Sequence, residues 1–427
     1  MIYDLAVEGS ARPSDWVVNT LAELADVVGG GTPDTGNSEY WNPPEVAWAT
    51  PTDITACIGT VLTRTERAIS NAGLRNCSAT LLPRDATLLT SRATIGECRL
   101  AGIPIATNQG FASLVPKEGV DPQFLFYLAQ SLKRVFTRLA AGTTFIEVSR
   151  REIRRVSVCV PSCAEERTRI GEIFAAVDVT LGLSRERLAA AITVKRALMQ
   201  QLFTKGIPGR HSHHKETKIG AIPMSWELVA LGTIATIVSG IALNPEREAR
   251  FHPRQYLTVV NVQRERLDLS EVRFMEVFPE EVPAALLEQG DIVLVEGHAN
   301  SSEIGRAAMI TEDAAGFAFQ NHLFRIRLQP GVTMTRLFLL GVFNSERVRR
   351  HWVATCNTSS GLNTINRRGV RRLLIPQPPL GEQEKIADLL ESSNQNIARC
   401  EDELLAIARL KQSLLQNLLT GKVRVRV

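Results

Sequence analysis

The chain has no long apolar run, no CxxC cysteine pair and no strong charge of either sign. Its longest apolar stretches, such as Leu337–Phe343, are far too short to cross a bilayer, so no membrane span is expected. Seven cysteines lie at irregular spacing with no CxxC and no paired framework, which points to reduced thiols. The opening residues, Met-Ile-Tyr-Asp-Leu-Ala-Val-Glu, carry neither a basic leader nor an apolar core. A cytoplasmic protein is the expectation. A net charge of +4 permits a polyanion partner without demanding one.

Catalytic signatures are missing too. No GxSxG, HExxH or GxxxxGK[ST] occurs, and Gly29-Gly30-Gly31-Thr32-Pro33 reads as a turn because no GK[ST] follows it. Asn42-Pro43-Pro44-Glu45 resembles an amino-methyltransferase tetrapeptide only superficially. Glu45 stands where an aromatic side chain would have to stack on a flipped base. Glu216-Thr217-Lys218 has the form of a nuclease ExK without a suitably placed acid before it. His211, His213 and His214 sit in a polar stretch without a matching ligand set and read as solvated. Binding and positioning are therefore expected here, with no catalytic residue, metal or cofactor in the chain.

What the chain has is a copy of itself. Trp16, Leu21, Leu24, Val27, Val28 and Gly30 recur 210 residues later as Trp226, Leu231, Ile234, Ile237, Val238 and Gly240. Glu166, Ile170, Leu188, Lys195, Leu198, Gln200, Leu202 and Thr204 recur 216 residues on as Glu382, Ile386, Leu404, Lys411, Leu414, Gln416, Leu418 and Thr420. A chain of 427 residues divided this way can bury a core in each half. An arginine cluster is repeated as well: Arg150, Arg151, Arg154 and Arg155 in one half, Arg367, Arg368, Arg371 and Arg372 in the other. A single cluster would read as solvated surface; its recurrence points to a shared anionic partner.

Each half begins with a globular block and ends with a helix. The first block, 14–162, reads as mixed α and β, with strands at Val46–Ala49, Thr87–Leu89 and Ser157–Val160 and helical spacing over Pro122–Leu139. The second block, 222–378, has strands at Ile292–Val295 and Phe317–Arg327 and a mostly helical Thr335–Val353. The middles diverge: Tyr40-Trp41 and Trp48-Ala49-Thr50-Pro51 find no counterpart in the 244–268 stretch.

The helices, 163–206 and 379–421, are joined to the rest by a linker at 207–221. Apolar residues alternate by four and three through Ile170, Phe174, Val177, Leu181, Leu188, Leu198 and Leu202. They do so again through Ile386, Leu390, Ile397, Leu404, Ile407, Leu414 and Leu418. Ser184 and Cys400, then Lys195 and Lys411, interrupt the two seams at matching steps. Such heptad seams specify a coiled coil, and polar interruptions fix its register. At about 40 residues each helix is on the order of 60 Å long. The expectation is an α+β chain of two tandem similar α/β domains with two long helices forming an antiparallel coiled coil, related by a pseudo-twofold. Packing of each seam on a separate partner helix stays open.

Together these residues resemble the specificity (S) subunits of type I restriction-modification enzymes. The likeness rests on Trp16 to Pro33, on Tyr40-Trp41 and Trp48 to Ile54, and on Ile69-Ser70-Asn71-Ala72-Gly73-Leu74. It continues in Ser91 to Gly96, in Thr107 to Gly110, and in Pro378-Pro379-Leu380-Gly381-Glu382-Gln383-Glu384-Lys385-Ile386. The resemblance implies two target-recognition domains that each read one part of a split site in double-stranded DNA, with the helices as spacer. It implies docked methyltransferase (M) subunits carrying S-adenosylmethionine, and restriction (R) subunits adding ATP- and Mg-dependent work. Candidate base readers in the first block are Arg92, Thr94, Asn108, Gln109, Thr143 and Thr144. In the second they are Asn300, Ser301, Ser302, Asn321, His322, Ser359, Ser360 and Asn363. Arg150, Arg151, Arg367 and Arg368 suit phosphates. Two other readings remain: a coiled-coil adaptor that binds protein alone, and the remnant of a methyltransferase-specificity fusion.

Overall fold

The computed structural model describes residues 13–141, 146–359 and 361–426, with only the backbone at 358 and 359. The chain divides into two units. Unit 1 takes the sequence up to Arg187 together with the stretch from Cys400 onward; unit 2 takes Leu188–Arg399. Neither unit is one of the sequence halves, because each contains part of both long helices.

Three sheets recur in both units, and unit 2 adds a small sheet ordered Gly297–His298, Leu362–Thr364, Asn357–Ser359. In unit 1, Trp16–Thr20 pairs antiparallel with Ser157–Pro161, as Glu227–Ala230 pairs with Leu374–Gln377 in unit 2. A five-stranded sheet runs in the order Ala25–Gly29, Ala112–Pro116, Thr87–Leu89, Cys98–Ala101, Val61–Leu62; unit 2 repeats the first four as Ala235–Ser239, Leu323–Leu328, Ile292–Val295 and Ala307–Met309. The third sheet orders Arg67–Ile69, Val46–Ala49 and Ala106–Thr107. Its counterpart orders Arg273–Glu276, Pro253–Leu257 and Ala318–Phe319, with the same antiparallel and parallel pairings.

That third sheet corrects the expectation that Trp48-Ala49-Thr50-Pro51 lacks a counterpart. Tyr256-Leu257-Thr258 occupies the same strand end. Thr50 donates its amide and hydroxyl to Asp53 (2.8 and 2.7 Å), as Thr258 does to Asn261 (2.9 and 2.8 Å). Tyr40 closes a 3-10 turn capped by Asn37, and Arg247 closes one capped by Asn244. Backbone geometry is kept while the side chains change, so the match escapes a comparison of residues.

Phe317–Arg327 is also not one strand. Ala318–Phe319 belongs to the third sheet, and Leu323–Leu328 to the large one. Gln320 donates its amide to the Leu257 carbonyl (2.9 Å) before the chain turns at Asn321 and His322 to change sheets. An apolar run serving two sheets looks continuous in sequence. The 122–139 stretch forms two helices, Pro122–Ser131 and Lys133–Leu139, and the 335–353 stretch forms Arg336–Asn344 and Glu346–Thr355. Asp121 and Thr335 cap the first helix of each pair by accepting an amide hydrogen three residues on (2.8 and 3.3 Å).

The long helices span Ala164–Thr204 and Leu380–Leu418. Every residue of the two heptad seams is buried or half-buried. In unit 1 the helices run antiparallel: Asp178 meets Lys411 (2.7 Å), while further along Arg187 meets Glu403 (3.1 Å). In unit 2, Lys195 and Asn394 share Glu265 (2.6 and 2.9 Å), and one turn past Leu202 the segment after Thr204 reaches Glu382. Rising numbers on one helix meet falling numbers on the other.

Helix ends from distant parts of the sequence complete each core. Leu418 and Leu419 lie among Leu21, Phe124, Tyr127, Phe136 and Phe174 in unit 1. Leu202 and Phe203 lie among Trp226, Phe338, Phe343 and Leu390 in unit 2. Each such fully buried side chain contributes about 1.5–3 kcal/mol. A buried carboxylate fastens each joint. Glu166 accepts two hydrogen bonds from Arg424 (2.8 and 2.7 Å), which also grips Asp15 and lies over the Trp16 ring. Its repeat, Glu382, pairs with His211 Nε2 (2.7 Å) and accepts from the Trp226 indole (3.2 Å). His211 is therefore a packed structural group; His213 and His214 are exposed as expected. Within the linker, His214–Lys215 pairs with Ile222–Pro223. Among the described residues, no helix is long and apolar enough to cross a membrane.

Candidate nucleic-acid interface

The two arginine clusters fold into the same element. Arg150–Arg155 and Arg367–Arg372 are six-residue helices that follow a loop and lead into the last strand of their unit. Ser149 caps the first with its hydroxyl accepting from the Glu152 amide (3.2 Å), and Asn366 caps the second by accepting from Gly369 (2.7 Å). All eight arginines are exposed. Arg154 donates to the Val27 carbonyl (2.9 Å), Arg150 lies along the backbone of Gly29, and Arg371 lies along Gly232. Among the described residues Arg151, Arg155, Arg367 and Arg368 have no carboxylate partner. Exposed guanidinium groups without a carboxylate partner are the chemistry that pairs with anions, and both units carry them on the same element.

The loops beside these helices meet at one point in each unit. In unit 1, the Ser91 amide donates to the Gly110 carbonyl (2.8 Å) and the Val148 amide to the Ser91 carbonyl (3.1 Å). In unit 2, the Glu296 amide donates to His322 (2.8 Å) and the Ile365 amide to Glu296 (3.0 Å). Three candidate reading loops are thus pinned together by backbone bonds that do not depend on side-chain identity. Gly30 and Gly240 allow this, since a Cβ at either would collide with the carbonyl of Asn108 or Gln320 on the adjoining loop.

Several candidate readers are occupied in holding that arrangement. Asn108 accepts from the Gly110 amide (2.9 Å), and Asn300 accepts from the Ser302 amide and hydroxyl (3.0 and 2.9 Å), capping the turn that holds Ser301. Asn363 donates to the carbonyls of His298 and Ala299 (3.3 and 2.8 Å). Gln109 is bonded to the Thr32 hydroxyl, whereas Asn321 takes part only through its backbone N–H, which donates to the Ile241 carbonyl (2.9 Å). Arg92 pairs with Glu147 (2.8 Å) while its Nε is buried without a partner; the Thr94 hydroxyl is likewise buried and unpaired among the described residues. Thr143, Thr144 and Ser360 lie outside the described residues, and Ser359 is described by its backbone only.

Two features were invisible in the sequence. Ser91 and Glu296 fall at the same frame position, yet one is a hydroxyl and the other a carboxyl. Burial pushes the Glu296 carboxyl up to about 7, with no charged neighbour among the causes. No periodicity marks it, because its place follows from pairing. In unit 1 the Arg67 guanidinium stacks over Trp41, 4.0 Å from the ring centroid, and near Trp48 at 5.3 Å. Strand register sets Arg67 across from Trp48, and the turn after Ser38–Tyr40 brings Trp41 over them.

Comparison with known proteins agrees with this geometry. The family model for the type I restriction modification DNA specificity domain matches twice, over residues 13–193 and 223–407. The MjaIX specificity subunit of Methanocaldococcus jannaschii is 30% identical over 243 residues, 56% of this chain and 56% of that subunit. The match thus spans about half the length of that relative. The MjaVIII specificity subunit of the same organism is 24% identical over 352 residues, 80% of each chain. In fold, the chain resembles the S subunit of a type I system from M. genitalium (TM-score 0.57, 14% identity, 98% of this chain and 99% of that one). It also resembles a chain solved in work on the complex assembly and conformational transition of a type I system (TM-score 0.62, 16% identity, 97% and 100%). With the family model matched in both halves and the fold shared along nearly the whole length, the chain belongs to the type I restriction modification DNA specificity family.

Proposed function

We propose that this chain is the DNA-recognition subunit of a type I restriction-modification complex in the cytoplasm, each unit reading one part of a split target in double-stranded DNA. One observation carries the reading: the two units share backbone, sheet register and exposed arginine helices, yet differ at the side chains around the pinned loops. Shared charge fits the sequence-independent phosphate backbone, and divergent loops fit two different half-sites. The chain itself is non-catalytic in this reading. Methyltransferase subunits supply S-adenosylmethionine chemistry, and restriction subunits supply the ATP- and Mg-dependent steps. Exposed aliphatic residues on the long helices favour docked partners: Val179, Leu183, Leu405 and Leu410 in unit 1, Ile192, Val194 and Leu389 in unit 2.

The test is to co-express the chain with its methyltransferase subunit and map methylated adenines across a genome. A two-part motif with an unspecified gap is expected. Replacing the 296–303 loop should alter one part of that motif and leave the other unchanged. Absence of methylation at any defined sequence, with the complex assembled, refutes DNA readout and leaves an adaptor.

A further inference from the structure

The third sheets of the two units carry the same rung. Arg67 stands across from Trp48, and Trp48 across from Ala106; Arg273 stands across from Tyr256, and Tyr256 across from Ala318. Cross-strand partners share a face. In both rungs the aromatic and alanine are buried and the arginine is exposed. Neither guanidinium has a carboxylate partner among the described residues. These arginines lie within the stretch where the two halves share almost no residues.

In unit 1 the guanidinium is held in place. The Trp41 indole donates to the Asp34 carbonyl (3.1 Å) and the Trp48 indole to Gly31 (2.9 Å), with the two rings nearly perpendicular at 5.3 Å. Stacking on such rings is worth about 0.5–2 kcal/mol and removes rotamer freedom that an anion would otherwise have to restrict. Gly31, which anchors Trp48, is two residues from Gly29, against which Arg150 lies. Two residues span at most about 7 Å, so one short stretch of chain carries both the Trp48 anchor and the backbone on which Arg150 packs.

A purely structural arginine covering Trp48 would have no reason to recur beside Tyr256, where no stacking tryptophan accompanies it. A base reader would diverge with the base it reads. Charge at one position is what both rungs keep. We propose that Arg67 and Arg273 each bind a DNA phosphodiester, forming a second matched pair of backbone contacts in addition to the arginine helices. The proposal rests on the DNA-recognition reading.

The test uses the assembled complex with its methyltransferase subunits, on a duplex containing the methylated motif and on a scrambled one, titrated from 0.05 to about 0.3 M salt. Arg67→Ala and Arg273→Ala are each expected to weaken both duplexes by the same factor, about fivefold to tenfold at 0.1 M salt. Each should also reduce the slope of log affinity against log salt by about 0.9. Arg67→Lys should keep the slope, and the methylated motif should not change. Arg273→Ala removes no ring contact, so it remains decisive if Arg67→Ala fails to fold. An unaltered slope, or a loss confined to the motif duplex, overturns the phosphate assignment while DNA recognition stands. A parent complex that binds neither duplex overturns both.

Discussion

Glu296 shows how much one side chain can differ within a frame that does not. Its backbone is fixed by His322 and Ile365, just as Ser91 is fixed by Gly110 and Val148. Burial then raises its carboxyl to about 7, above the ordinary range near 4.3. The folded state therefore holds a proton that the unfolded chain releases as pH rises from about 4.5 to 7. Over that window the unfolded state binds fewer protons, so stability falls with rising pH. The slope from this group is at most about 1.4 kcal/mol per pH unit, and smaller in practice because the carboxyl keeps some solvent contact. Glu296→Gln should flatten the dependence; denaturant unfolding at pH 5 and pH 8 would reveal it. Equal pH slopes for parent and variant would mean that this carboxyl is ionised throughout.

Among the elements, the long helices were the most legible. A three-four alternation of apolar residues needs no tertiary information, and every seam position it identified is buried or half-buried. What the alternation left open was the use of the seam lysines. Lys411 bonds to both oxygens of Asp178 (2.7 and 2.9 Å), which also accepts from the Tyr127 hydroxyl (2.8 Å). Lys195 instead finds Glu265, from a loop 70 residues away. Removing one member of a largely buried pair strands the other. Lys411→Met should thus destabilise unit 1 by about 2–4 kcal/mol, with Asp178→Leu in the same chain recovering part of it, since the Tyr127 hydroxyl then loses its acceptor. Thermal melts of the two singles and the double form the cycle; strictly additive losses would show that the pair carries no coupling. The short strands were less legible. Val46–Ala49 and Thr87–Leu89 were marked by their own composition, but Pro253–Leu257 became recognisable only through its pairing with Arg273–Glu276 and Ala318–Phe319.

For the whole molecule, the repeat has a consequence that neither half has alone. Each unit borrows a helix end from the other half of the sequence, so the helices are structural parts of both cores. In the proposed function they also set the gap in the DNA target. Inserting four residues into 181–195, with a matching insertion in 394–403, lengthens each helix by about 6 Å and adds about 40° of rotation. The expected result is a methylated motif with both parts unchanged and a different gap, or lost binding. Full activity on the original motif would separate the helices from the spacing.

By itself the sequence determined the duplication, the heptad seams and the recurrence of arginine clusters, because each is a local pattern of residue type that periodic burial or shared charge imposes. Tertiary structure alone decided which side chains meet. It joined Glu166 to Arg424 across 258 residues, gave Glu382 to His211, divided an apolar run between two sheets and placed Arg67 on two tryptophans. Those contacts follow from strand register and chain closure, which are set by the packing of the whole unit and leave no mark on the residues nearby.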